Sequence, residues 1–381
     1  MSLPFVLLRA SFQTNWQQAW DQGSSSVVPS LPGFQKQFNV KSGAKASDIQ
    51  NFISIIYIGY AVGAASSFFV NDRIGRRWSF RLYASIWILG QMIATASPGW
   101  AGLYTARIIS GIGIGSLSVT GPMSIVELAP AEIRGLLTAW YTIAMGIALF
   151  TSVFCVYGIF LHMDPGRLQY QIVWFSPAIF MFFAILASFF ICESPRWLMM
   201  VDKKDDAVST LAKLRCLPTD HQRIEGEIQD IENSISGMGS SFVDIVKETF
   251  TVPSNLRRLQ QALISYALAQ LSGANSVTSY FVPIMSIMGL GGDSARSMFL
   301  SGMYGMSKFF FSIIASFFFI DALGRRRSLF VGIAMQLISH VYIGVFIKFH
   351  QEGPVSSGAS HAAIAALFVH AFGYAVGKSL Q

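Results

Sequence analysis

Long apolar runs separated by short polar stretches dominate the pattern of this chain. A membrane-crossing helix needs about 20 consecutive, mostly apolar residues. Nine runs are of that kind, and one of them, 297–320, is interrupted by a charge, Lys308. The pattern predicts an all-α protein that crosses a membrane many times. The runs cover residues 51–70, 82–106, 108–126, 135–163, 168–192, 259–292, 297–320, 328–347 and 353–377.

The front of the chain departs from this pattern. Residues 11–40 hold many polar side chains, among them Gln17, Asp21 and the serines at 24–26. Such a segment can span a membrane only if it is protected inside a bundle or lines a cavity. We therefore expect either a buried tenth span or a damaged first helix.

A long polar interval divides the apolar runs into two groups. Within it, Ala207, Leu211 and Leu214 recur at helical spacing, which predicts short amphipathic helices lying against the membrane face. The chain is therefore expected to have three parts. These are an N-terminal transmembrane bundle over 1–192, a cytoplasmic helical linker over 193–258 and a C-terminal transmembrane bundle over 259–381.

Composition supports a membrane protein and excludes other classes. Of 381 residues, 52% are hydrophobic and 12% are charged, whereas soluble domains carry about 25% charged residues. The net charge of +7 comes from basic residues beside apolar runs, so it indicates topology rather than a nucleic-acid partner. Three cysteines without paired spacing favour neither a disulfide framework nor a metal site. We expect a lipid bilayer as partner, and neither cofactor nor metal.

A charged D-x-x-G-R-R loop occurs twice, each time between apolar runs. Gly permits a tight turn, Arg can bond helix-end carbonyls and carboxylates, and Asp can cap the next helix. Flanking positive charge would explain one copy equally well, but two equivalent copies indicate internal duplication. The clustered arginines place both loops on the cytoplasmic side. The copies consist of Asp72, Gly75, Arg76 and Arg77, and of Asp321, Gly324, Arg325 and Arg326.

Arg107 begins the run that contains glycines at 111, 113 and 115. These glycines follow no strand, so they suit close helix packing better than dinucleotide binding. A buried Arg needs a partner, and Asp21 is the acid that the front segment offers. Alternatively, Arg107 extends to the outer membrane interface.

Two further charged motifs mark the predicted inner face. Glu127 and Arg134, on either side of Pro130, suit an ion pair at a helix end. Glu193 and Arg196 belong to the stretch E-S-P-R-W-L, where Ser and Pro predict a new helix. A generic interfacial cap would explain that stretch equally well.

Polar side chains also interrupt the run at 259–292. Gln270, Asn275 and Tyr280 bring amide and hydroxyl groups into an apolar setting, as a polyhydroxylated ligand requires. Hydrogen bonding between helices is the alternative. Lys308, within the next run, could neutralise a substrate carboxylate or pair with an acid.

In this order, the motifs resemble those of the sugar porters of the major facilitator superfamily, especially the fungal branch with hexose and quinate carriers. The resemblance implies two six-helix bundles, a cytoplasmic helical linker, a substrate site at the mid-membrane and alternating access. It also implies that protonation of Asp21 releases Arg107, that Gln270, Asn275 and Tyr280 contact substrate, and that the charged motifs form a cytoplasmic gate.

Two departures qualify the resemblance. Ala269 and Ser279 stand where the family usually has Gln and Tyr, which puts a classical hexose in doubt. The chain also ends within the tenth span, so we expect a second bundle of four helices and a truncated product.

We interpret the chain as a carrier for a sugar or related polyhydroxylated solute, either proton-linked or facilitative. It is expected to be a monomer in a fungal plasma membrane. The alternative is a non-transporting truncated remnant or a solute sensor. An enzyme is not expected, because no nucleophile–base pair is present.

Overall fold

Every regular element that the computed structural model describes is helical. The description covers residues 16–40, 46–130, 132–236, 242–271, 273–290, 292–315, 324–353 and 355–378. Six of the described helical stretches are long and apolar enough to cross a membrane. These are Ser47–Ile74, Trp100–Leu128, Trp140–His162, Arg167–Phe190, Arg326–Glu352 and Ser357–Gly377.

Within its described residues, the first bundle contains eight helices. The first, α1, covers 16–27 and is followed by a short 3₁₀ turn at Val28–Ser30. The others are α2 Pro32–Gln37, α3 Ala46–Ser54, α4 Ile56–Ile74, α5 Arg76–Ala96, α6 Trp100–Leu128, α7 Arg134–His162 and α8 Arg167–Ala187.

Small residues let α6 pack closely against its neighbours, as the glycine pattern predicts. A side chain at Gly63 of α4 would collide with the backbone of Ile112, and one at Gly115 would collide with the backbone of Tyr60. Because the backbones approach so closely, α4 and α6 hold their cavity-facing side chains at fixed positions.

The linker forms helices α9 Pro195–Met200, α10 Lys204–Arg215, α11 Gln222–Ser236 and α12 Phe242–Thr251. The predicted apolar positions Ala207 and Leu211 are buried, but they pack against Leu198, Ile224 and Ile228 in a core of the linker's own. The apolar faces of α10 and α11 therefore meet each other, where the spacing alone suggested contact with the membrane.

The second bundle begins with a broken helix. Its segments are α13 Pro253–Leu271, α14 Ala274–Ser279 and α15 Phe281–Ile287. The break includes Gly273, whose φ of 72° is favourable for glycine. Three long helices follow, α16 Ser294–Ile314, α17 Arg325–Glu352 and α18 Ser357–Lys378.

Two predicted boundaries are wrong for one physical reason. The apolar run at 82–106 contains the end of α5, a turn and the first residues of α6, so Arg107 lies inside α6 instead of beginning it. Similarly, Arg81 lies within α5. Counting between charges assumes that arginines lie outside membrane helices, but both of these side chains are buried against partners.

Candidate functional site

A cavity of about 590 Å³ lies between the two bundles. Its volume falls in the range of small-molecule sites. The first bundle contributes side chains from α1, α3, α4, α6 and α7, and the second contributes from α13, α14, α17 and α18. The polar and aromatic lining consists of Gln18, Asp21, Gln22, Ser25, Tyr57, Tyr60, Arg107, Ser265, Tyr266, Gln270, Asn275, Ser279, Gln336 and Tyr374.

Asp21 and Arg107 form a buried ion pair in this lining. Arg107 Nη1 donates to Asp21 Oδ1 over 2.6 Å. Arg107 Nε donates to the Phe52 carbonyl over 3.1 Å, and the guanidinium lies 4.6 Å from the Phe52 ring centroid. Arg107 therefore points into the bundle and joins α1 to α3, which excludes the alternative of an interfacial side chain.

The polar helix α1 is protected inside the first bundle. Gln17 Nε2 donates to Met181 Sδ over 2.9 Å, and Trp20 Nε1 donates to the Val173 carbonyl over 3.3 Å. Ser24 and Ser26 bond carbonyls of their own helix. Over residues 16–27, α1 is thus buried within the first bundle, which gives its polar side chains the protection that such a segment needs.

Gln270 and Asn275 lie in the cavity wall on either side of the break at Gly273. Asn275 Nδ2 donates to Gln270 Oε1 over 3.0 Å. These amides therefore line the cavity and bond each other locally across the break, while their contact with substrate stays a prediction.

Tyr280 lies outside the cavity lining, in a contact between the bundles. Its hydroxyl is 2.6 Å from Ser54 Oγ. Nearby, the hydroxyls of Tyr57 and Ser279 are 3.4 Å apart. Ser54 ends α3 and Tyr57 lies in the first turn of α4, away from the D-x-x-G-R-R loop at the other end of α4. These bonds therefore join the two bundles at the predicted outer side.

Lys308 also lies outside the lining, behind an aromatic ring. Its ammonium donates to Thr278 Oγ1 over 2.8 Å and lies 3.7 Å from the centroid of Tyr374. Tyr374 itself faces the cavity. Lys308 thus contacts the ring that borders the site.

Two histidines of the apolar runs at 328–347 and 353–377 lie beside each other. The ring centroids of His340 and His370 are 4.8 Å apart, and His370 Nδ1 is 3.0 Å from the Tyr304 hydroxyl. Sequence reasoning missed this cluster because its members come from three separate helices.

At the predicted inner face, the first D-x-x-G-R-R loop joins α4, α5 and α6. The Arg76 guanidinium bonds both carboxylate oxygens of Glu127, over 2.9 and 2.8 Å, and pairs with Asp72 over 3.1 Å. Glu127 is therefore held by Arg76, a partner that the sequence did not suggest. Arg134, the expected partner, begins α7 and is exposed.

Glu193 caps the N-terminus of α5. Its Oε1 accepts hydrogen bonds from the backbone amides of Arg76 and Arg77, over 3.0 and 3.2 Å. The suggestion that Asp72 caps this helix is therefore wrong, since Asp72 pairs with the Arg76 side chain. A carboxylate at this end is favoured by the helix dipole.

The E-S-P-R-W-L stretch begins a helix, as the sequence predicts. Ser194 is the N-cap of α9 and its Oγ accepts from Trp197 N over 3.4 Å. Trp197 Nε1 donates to the Asp72 carbonyl over 2.9 Å, while Arg196 is half-buried. The start of the linker is thereby attached to the loop.

The second copy of the loop is described in part. Gly324 precedes α17 with φ 74° and ψ 158°, close to the 85° and 165° of Gly75 before α5. Arg325 and Arg326 begin α17. Asp321 lies outside the described residues.

Comparison with known proteins identifies the family. The family described as "Sugar (and other) transporter" matches residues 6–379. The chain belongs to the sugar (and other) transporter family. Its predicted membership and all-helical major facilitator fold are confirmed, and it is a multi-pass membrane transporter rather than an enzyme.

Two curated relatives and one solved structure illustrate the similarity. A probable quinate permease of Aspergillus niger is 29% identical, over 94% of this chain and 69% of its own. The low-affinity glucose transporter HXT1 of Saccharomyces cerevisiae is 29% identical, over 91% of this chain and 61% of its own. The partially occluded inward-open E. coli xylose transporter XylE has a TM-score of 0.78 at 20% identity, over 100% of this chain and 86% of its own. These matches favour a carrier over a remnant or sensor.

Proposed function

We propose that this transporter carries a polyhydroxylated solute by alternating access and that Asp21 and Arg107 couple the movement to protons. The observation that supports the proposal most strongly is the cavity between the bundles. Its wall combines amide and hydroxyl groups from both bundles with a buried ion pair.

The wall chemistry suits a ligand rich in hydroxyls. Gln22 on α1, and Gln270 and Asn275 beside the helix break, offer donors and acceptors, while Tyr57 and Tyr374 offer ring faces. A ligand hydroxyl that enters a dry pocket must replace its lost water bonds. The named solutes of the two relatives, quinate and glucose, are both polyhydroxylated.

Proton coupling follows from the charge balance of the pair. While Asp21 is ionised, its carboxylate holds Arg107, and α1 is tied to α6. A proton bound at that carboxylate removes the attraction, but Arg107 keeps its hydrogen bond to the Phe52 carbonyl. The contact between α1 and α6 is then weakened. This shifts the equilibrium toward the other of the two conformations between which the carrier alternates.

The two ends of the cavity then serve as gates. At the outer end, Ser54 and Tyr280 must separate before solute enters from that side. At the inner end, Arg76, Glu127 and Glu193 keep α4, α5, α6 and the start of the linker together as one body. Tyr280 and Lys308 act indirectly, the first as a gate and the second through Tyr374. We further propose that the carrier works as a monomer in a fungal plasma membrane.

Uptake into proteoliposomes tests the function. The purified chain is reconstituted, and uptake of labelled D-glucose, D-xylose and quinate is compared with that of protein-free vesicles at inward and absent proton gradients. We expect saturable uptake of at least one solute that increases with the gradient. Uptake no greater than in protein-free vesicles for all three would overturn the proposal.

A further inference from the structure

Two buried polar residues, one from each bundle, line the cavity, and each has a buried side-chain oxygen without a hydrogen-bond partner among the described residues. They are Ser25 of α1, through its hydroxyl, and Gln336 of α17, through its Oε1. Ser25 is 2% exposed and Gln336 is 8% exposed. Buried polar groups are nearly always hydrogen-bonded, so two such groups on one cavity need an explanation.

Ser25 differs from the serines on either side of it. Ser26 Oγ donates to the Gly23 carbonyl over 2.7 Å, and Ser24 Oγ donates to the Asp21 carbonyl over 3.4 Å. Both therefore satisfy their hydroxyls within the helix, as serines in membrane helices commonly do. Neither lines the cavity, whereas Ser25 does.

Gln336 is held at the cavity by close packing of α17 against α18. A side chain at Gly332 would collide with the backbone of Gly373 and Gly377. The Gln336 amide nitrogen lies 3.6 Å from the position that a Cβ of Gly377 would occupy. Because these glycines bring the two helices together, the amide is confined beside the cavity instead of extending to solvent.

We propose that Ser25 and Gln336 bind one solute molecule from the two bundles. The proposal rests on the function proposed above and adds two ligand-binding residues to it. Gln336 Oε1 accepts a hydrogen bond from a ligand hydroxyl, and the Ser25 hydroxyl donates to or accepts from another. The solute is thus a compound with hydroxyls at two ends, and it links bundles that move relative to each other during transport.

This role has a thermodynamic signature that a structural role lacks. A group that stabilises the fold through an existing bond lowers stability when it is removed. An unpartnered buried group costs stability, so its replacement by an apolar side chain of similar shape leaves the empty protein equally or more stable. The same replacement removes a bond to the ligand.

The experiment uses Ser25→Ala and Gln336→Met in the full chain, reconstituted in lipid nanodiscs. Matched controls are Ser26→Ala and Ser339→Ala, since Ser339 lies on α17 and its hydroxyl bonds the Met335 carbonyl over 2.8 Å. Affinity for D-glucose, D-xylose and quinate is measured by calorimetry, and the thermal midpoint is measured without ligand. We expect about tenfold weaker binding for each test variant, at an unchanged or higher midpoint, and no loss of affinity for the controls.

The failures are distinguishable. If a probe binds the wild type and both test variants equally well, the assignment of Ser25 and Gln336 is overturned while the proposed function stands. A lower midpoint in the ligand-free test variants would indicate a structural role and also overturn it. If none of the three probes binds the wild type, the proposed function fails and this assignment fails with it.

Discussion

Arg107 donates to Asp21 over 2.6 Å, so two opposite charges lie paired within the first bundle of a membrane protein. Taking two ions out of water is expensive, and their mutual attraction offsets that cost only while both remain. The pair is therefore sensitive to any change in the charge of either partner, whether by mutation or by a proton.

Replacing Asp21 by Asn should separate transport from proton coupling. The amide cannot take up a proton as the carboxylate does, so we expect proton-driven accumulation to be lost while exchange of solute across the membrane persists. Accumulation and exchange are measured in proteoliposomes, with and without a proton gradient. Asp205→Asn, in the linker, serves as control. Unchanged accumulation by Asp21→Asn would refute proton coupling through this residue.

Exchanging Asp21 and Arg107 should restore part of the stability that each single substitution removes. Asp21→Arg or Arg107→Asp alone leaves like charges buried together, so we expect a loss of about 3–5 kcal/mol in unfolding free energy. The double substitution re-forms an ion pair and should be more stable than either single variant, as measured by thermal unfolding in nanodiscs.

The exposed pair of Lys204 and Glu232, joined over 3.0 Å, is the control for this exchange. Because both of its side chains are more than half exposed, swapping them should change stability by less than about 1 kcal/mol. A double Asp21–Arg107 exchange no more stable than the worse single variant would show that the pair is not an independent unit.

Local features of the fold were predictable where one residue type suits one geometry. Gly75 and Gly324 both have positive φ and extended ψ before a helix, as duplicated turns with a glycine at that position require. Ser194 and Pro195 begin α9 for equally local reasons. The buried front helix was one of two alternatives, because its polar residues require protection that only the bundle provides.

The partner of Arg107 was predictable, because the front segment offers one acid, Asp21. Partners at the inner face were not, since they depend on which helices meet. Glu127 is seven positions from Arg134 in sequence, yet the packing of α5 against α6 pairs it with Arg76. For the same reason, Glu193 caps the helix that Asp72 was suggested to cap. Ser25 has no distinguishing motif among three consecutive serines, and its missing partner becomes visible only when α1 is placed in the bundle.

The two carboxylates on Arg76 should contribute unequally. Glu127 is 7% exposed and Asp72 is 44% exposed, while the Arg76 side chain is 4% exposed. Glu127→Gln leaves a buried guanidinium without its buried partner and should cost about 3 kcal/mol or more in unfolding free energy. Asp72→Asn should cost less than about 1 kcal/mol. Thermal unfolding of the two variants side by side checks this, and equal losses would contradict it.

Removing the Tyr280 hydroxyl should favour opening of the outer end. Both Tyr280→Phe and Ser54→Ala break the bond between these two hydroxyls, and Tyr280→Phe also removes the longer bond to the Gln50 carbonyl, at 3.4 Å. Either substitution should destabilise the closed outer end by about 1 kcal/mol, and the double variant should cost no more than Tyr280→Phe alone. The readout is the rate at which an impermeant thiol reagent, added outside, modifies Ser265→Cys in a background without the native cysteines. Tyr342→Phe, whose hydroxyl bonds within the second bundle, is the control. Additive effects of Tyr280→Phe and Ser54→Ala would refute a shared bond.

Attachment of the linker should weaken in acid through Glu227. Partial burial acts to raise the pKa of this carboxyl, but hydrogen bonds and charge from Arg215 and Arg223 outweigh it and hold the pKa below its usual 4.5. Arg215 also donates to the Leu128 carbonyl over 3.0 Å, and Arg223 pairs with Glu132 over 2.7 Å, so the cluster joins α10 and α11 to the end of α6.

A carboxyl whose pKa is lower in the folded state than in the unfolded state stabilises the fold when it is ionised. This contribution is present above the pKa of the unfolded state, and it is lost as the pH falls through the pKa of the folded state. At pH 7, Glu227→Gln should therefore weaken linker attachment by about 1 kcal/mol. The difference between the variant and the wild type should shrink below pH 4.5 as the wild-type carboxyl takes up its proton. Hydrogen exchange in α10 and α11, compared between variants at each pH, measures the effect, with the exposed Glu225→Gln as control. A difference that persists undiminished well below pH 4.5 would show that Glu227 acts through shape and not through its charge.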